Sequence, residues 1–142
     1  MQSTGLQHLS RLSDTHLLEA TASLVRQRDA QTAVILSHLA AVAERKAYRP
    51  LGYSSLHSYC VHELHLSEHS AYKHVWAVRF ARRYSPVLDA IAEGRVHLAG
   101  VCELARYMTP ENAAELLEAA THRTRREIQA MLAERFPKPD LP

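Results

Sequence analysis

The chain has 142 residues, enough for one domain with a real core, or one domain with an appended helix. Four Gly and six Pro beside abundant Ala, Leu, Glu and Arg point to an all-α protein, and a net charge of +2 leaves any affinity for nucleic acid to local clusters. Two cysteines exclude a disulfide framework, the N-terminus lacks a charged, apolar signal sequence, and no apolar segment reaches membrane-spanning length, so the expectation is a cytoplasmic protein with Cys60 and Cys102 as free thiols.

Residues 1–12 read as a flexible leader, residues 13–136 as a single domain of six to seven helices, and residues 137–142 as a Pro-rich linker or tail. A chain closing on such a linker is expected to be a module of a longer protein. Ser13 and Asp14 begin a helix that meets no breaker before about Lys46. At 1.5 Å per residue that is about 50 Å, more than a small domain needs. One outcome is a long helix that packs on a second copy of itself through Leu24, Ile35 and Leu39. The other is two shorter core helices divided in the polar stretch at 26–32. Pro50 and Gly52 then break the chain.

Residues 55–84 read as two helices joined by a tight corner. Ser54 or Ser55 caps the first, His65 and Leu66 make the corner, and Ser67 caps the second by accepting from the unpaired N–H groups of its first turn. The second helix is apolar almost all round, which marks a central helix, and Tyr72 and Trp76 are assigned to its core side. It also carries Lys73, Arg79, Arg82 and Arg83, with no acidic residue between Glu68 and Asp89. A capped, basic helix after a short corner is the layout of a helix-turn-helix reader of DNA. Against that stands a plain alternative: arginines at a helix C-terminus also meet the dipole favourably without any ligand.

Further on, Ser85 is placed as a cap with Pro86 at the first position of a short helix that Gly94 ends. A helix over 98–107 follows, then one opened by Thr109, Pro110 and Glu111. A last helix starts at the capping box of Thr124 and Glu127. Arg123, Arg125 and Arg126 cluster at that start, where cations meet the dipole unfavourably, and this leans toward an anionic partner.

The order of pieces from Ser54 to about 135 resembles the DNA-binding region of the ParB family. It is carried by Leu66, Ser67, Ala71 and Tyr72, by Arg79, by the run Ala92-Glu93-Gly94-Arg95-Val96-His97-Leu98, and by Thr124-Arg125-Arg126-Glu127-Ile128. That family's nucleotide-binding box has no counterpart, so no CTP role is implied. Nearly the whole chain is similar to the helical N-terminal domain that precedes HNH nuclease domains in bacterial proteins. Here the residues are Leu12-Ser13-Asp14 with Leu17-Leu18, Gly52-Tyr53-Ser54-Ser55-Leu56 with Tyr59-Cys60, and Leu66-Ser67-Glu68 with Ala71-Tyr72. Glu93-Gly94-Arg95, Thr109-Pro110-Glu111-Asn112 and the Pro-rich end complete the match. This resemblance implies DNA as the partner, with nuclease chemistry in a domain beyond the junction.

No catalytic constellation accompanies these features. His62-Glu63-Leu64-His65 lacks the i, i+4 interval of two histidine ligands on one helix face; His65 and His69 have it, but the corner lies between them. Glu111, Glu115 and Glu118 read as a solvated face. The expectation is therefore a non-enzymatic module without metal, cofactor, small-molecule substrate or membrane, binding double-stranded DNA. Candidate base contacts are His69, Ser70 and Lys73; candidate phosphate contacts are Ser67, Arg79, Arg82, Arg83, Arg125 and Arg126. The competing expectation is a protein-interaction module that dimerises through its first helix.

Overall fold

A computed structural model describes residues 4–138, and over that range the protein is all-helical, with eight α-helices and no strand. They are α1 (Thr4–Leu9), α2 (Asp14–Arg45), α3 (Leu56–His62), α4 (Glu68–Arg83), α5 (Pro86–Ala92), α6 (Leu98–Leu104), α7 (Ala113–Ala119) and α8 (Arg125–Arg135). The count exceeds the expected six to seven because α1 lies within the stretch read as a leader. Its Leu6 is exposed. Residues 1–3 of that leader and residues 139–142 of the tail lie outside the described range.

Helix α2 is one uninterrupted rod of 32 residues. Ser13 accepts from the His16 N–H at its start, and Lys46 ends it in the left-handed region at φ 52°. The polar centre does not break it, because nothing there removes a donor or clashes with the preceding turn. Only its second half reaches the core, through Ala33, Leu36 and Leu39, which face α4 and α5. Leu39 is 3% exposed, so its expected place in a dimer contact is incorrect: the spacing 33, 36, 39 is the side the domain itself covers. Over the first half, Leu18 and Leu24 remain exposed.

Helix α4 is the centre of the fold and packs against α2, α3, α5 and α6. Aromatic residues four apart build a ladder along it. The Trp76 and Phe80 rings stack at 5.7 Å and Phe80 stacks on Tyr84 at 6.2 Å. The buried Tyr84 hydroxyl donates to the Met108 carbonyl oxygen, tying the end of α4 to the segment after α6. Helices α6 and α8 approach closely at Gly100, where a Cβ would stand 2.9 Å from Ile128 Cδ1. Helices α7 and α8 are held by Arg135, which donates both guanidinium arms to Glu115 at 2.7 and 2.6 Å.

Two helix starts differ from expectation. Ser85 is already helical at φ −55° and ψ −33° and makes no side-chain cap, since α4 and α5 run almost directly into one another. Helix α7 begins at Ala113 rather than near Glu111. Thr109 and Asn112 exchange reciprocal side-chain–backbone hydrogen bonds, and that local turn occupies the backbone the helix would have used. His97, just before the helix expected over 98–107, caps α6 by accepting the Gly100 N–H on Nδ1 at 2.9 Å.

Candidate nucleic-acid interface

The corner between α3 and α4 is closed by short-range bonds. Ser55 caps α3 by accepting from Ser58 N–H, and the Leu66 N–H donates to the Cys60 carbonyl oxygen at 3.0 Å. His65 turns the chain in the left-handed region at φ 61°, a conformation that costs a residue with a Cβ about 1–2 kcal/mol. The Tyr53 hydroxyl donates to Glu63 at 2.8 Å and pins the corner from outside. Cys60 is fully buried beneath it, and burial pushes its thiol pKa up.

Ser67 then starts α4 by accepting from the Ser70 N–H at 3.0 Å, so its hydroxyl serves the helix first. His69 is exposed, whereas Ser70 is half-buried with its hydroxyl 3.4 Å from His74 Nδ1, turned to its own helix. Lys73 is half-buried in a cleft of about 150 Å³ between α4, α6 and the start of α8. That cleft unites His69 and Lys73 with Arg125, and adds Arg106, which the sequence did not single out. Local spacing pairs Arg106 with Glu103 three residues earlier. In the fold Glu103 accepts from Gln129 and pairs with Arg125 at 3.8 Å instead, and Arg106 makes no ion pair among the described residues. Cys102 also lines the cleft. Burial raises its thiol pKa against the lowering influence of Lys73 and Arg125, so it stays protonated and a poor nucleophile at neutral pH.

The other basic group gathers at the far end of α4. Arg79, Arg82 and Arg83 are exposed and line a shallow groove with Trp76 and Phe80. Arg79 lies over the Trp76 ring at 4.9 Å from its centroid, and Arg83 over Tyr84 at 5.4 Å. None of the three has a carboxylate partner among the described residues, where the ion pairs are Arg28–Asp29, Arg95–Glu93, Arg125–Glu103 and Arg135–Glu115. Arg126 is exposed but joins neither group.

Tyr72 corrects the assignment of that residue to the core. It is 51% exposed, edge-on to Trp76 at 6.1 Å, on the same solvent face as His69, Arg79 and Arg83. At 100° per residue, positions 69, 72, 76, 79 and 83 form one stripe, so this face mixes aromatic rings with unpaired cations.

No protein-family model, curated protein or solved structure matches the chain. The interface therefore stands on its own geometry. Among the described residues, no three His, Cys, Asp or Glu side chains group so as to hold a metal ion, and no helix is long and apolar enough to cross a membrane.

Proposed function

We propose that this chain is a cytoplasmic, non-catalytic DNA-binding module that presents α4 of its helix-turn-helix to duplex DNA. The observation that carries this reading is the solvent face of α4, where Arg79, Arg82 and Arg83 stand exposed without carboxylate partners. Helices that merely need solubility intersperse both signs and pair them; four uncompensated cations from Lys73 onward attract a polyanion. His69 and Lys73 are the base-edge candidates at the entering end, with Ser70 set back. The arginines, including Arg125 and Arg126, contact phosphates and fix register. The sequence resemblance to the domain that precedes HNH nucleases supports reading it as the targeting part of an HNH endonuclease-like protein, with the nuclease chemistry on another segment or chain.

The test is fluorescence anisotropy of a labelled duplex at low salt. Binding that strengthens as salt is lowered is the expected result, and no binding of any duplex at low salt retires the reading.

A second reading is favoured by one feature. The first half of α2 carries Leu18 at 70% and Leu24 at 63% exposure, with Leu6 of α1 nearby in sequence at 72%. A rod with leucines that its own domain leaves uncovered fits self-association, which also matches the two-fold pairing of many helix-turn-helix proteins on DNA. Ile35, at 41% exposure, lies in helical phase with Leu24, and Leu39 does not contribute.

A further inference from the structure

Resting on the DNA-binding reading above, we infer that the Tyr72–Trp76–Arg79–Arg83 face of α4 is a stacking platform for unpaired bases, so the protein engages single-stranded or locally opened polynucleotide as well as duplex. Phosphate neutralisation alone needs cations and no aromatic residues. This face has both. Tyr72 is half in solvent, one helical turn from Trp76, whose own ring is covered by the Arg79 guanidinium at 4.9 Å. A planar guanidinium over an indole is itself a flat surface on which a base can stack. Arg82 and Arg83 border the shallow groove that Trp76, Arg79 and Phe80 line, whereas Tyr72 opens onto the cleft beside His69 and Lys73, so the face runs along α4 from one to the other.

The chemistry narrows the occupant. An apolar peptide would leave three unpaired guanidiniums facing it, and a simple anion would leave Tyr72 unused. A chain of alternating planar rings and phosphates satisfies both components along this face. In an intact duplex the base faces are buried in the stack, so Tyr72 gains nothing there, whereas an unpaired base presents its whole π-face. From Tyr72 to Arg83 the helix advances about 16 Å, long enough for several nucleotides to lie along it. The nearest carboxylate on α4 is Glu68, at the start of the helix and away from the arginine end.

Trp76 is the sole tryptophan, which makes its fluorescence a direct report from the platform. The full chain is titrated with oligo-dT, oligo-U and a duplex of equal length, with poly-glutamate as a base-free polyanion. The expected result is that oligo-dT or oligo-U quenches Trp76. Tyr72→Ala weakens single-strand binding about tenfold but duplex binding less than about twofold, and Tyr72→Phe retains both. Tyr72 is exposed, so neither substitution threatens the core. Duplex binding without quenching by single strands, or an equal effect of Tyr72→Ala on both, overturns the platform and leaves the duplex reading intact. Quenching by poly-glutamate as strong as by oligo-dT overturns it as well, since the face would then answer to charge alone or to an acidic protein. No binding of any nucleic acid sinks both.

Discussion

Replacing Arg79, Arg82 and Arg83 together by Ala removes the cations at one end of α4 while leaving the cleft around Lys73 in place. On the proposed reading six exposed arginines contact phosphates: these three, Arg106 and Arg125 of the cleft, and Arg126 next to Arg125 in sequence. Each phosphate neutralised contributes about −0.9 to the slope of log K against log salt, so six contacts give about −5.4 and the triple variant about −2.7. Between about 50 and 200 mM salt the wild-type protein then loses roughly 2 × 10³-fold in affinity and the variant only about 40-fold. The assay is anisotropy of a labelled duplex across that salt range, with circular dichroism melts of both proteins. The melt matters because Arg79→Ala also removes the contact with Trp76, worth about 0.5–1 kcal/mol at an exposed site. If the folded variant keeps the wild-type slope, these arginines do not lie on phosphates, and the orientation proposed for α4 is wrong.

Leu36 is fully buried where α2 meets the core, so Leu36→Ala should cost about 2–5 kcal/mol in urea unfolding; a loss under about 1 kcal/mol would mean the contact of α2 with the domain is loose. Arg135 donates to Glu115, and the Thr124 backbone N–H and hydroxyl hold Glu127, so both carboxyls sit below the usual carboxylate range. A depressed folded-state pKa stabilises above the unfolded value and is lost as pH falls through the folded one. The melting temperature should therefore drop in the acid limb, and the Glu115→Gln, Glu127→Gln double variant should show a shallower drop; identical limbs would discount both contacts. The uncovered leucines of α2 predict a sedimentation mass twice 16.0 kDa, reverting to 16.0 kDa in Leu18→Glu, Leu24→Glu protein. A wild-type monomer at tens of micromolar refutes self-association.

The residues themselves determined where helices begin and end. Ser13, Ser55, Ser67 and Thr124 cap as their positions imply, and Gly94 stops α5 at φ 72°. These are events within one turn, where a hydroxyl meets an N–H three residues ahead or a missing Cβ permits a left-handed turn, so nothing distant intervenes. The all-helical class was equally legible, from composition and the periodicity of the apolar residues. The expected start failed at Ser85, where α5 follows α4 too closely for an extended cap, and at Thr109, where bonds to Asn112 offered a second local solution. The tertiary structure alone decided which side of each helix is covered. Periodicity placed Tyr72 and Trp76 on one side of α4, and Leu36 and Leu39 on one side of α2, without saying which side meets a neighbour. Only packing put Leu39 inside and left Tyr72 outside. It also carried Glu103 to Gln129, 26 residues away, which left Arg106 unpaired beside Lys73. Such partners are chosen by the arrangement of whole helices in space, and that arrangement minimises exposed apolar surface summed over the domain rather than over any one segment.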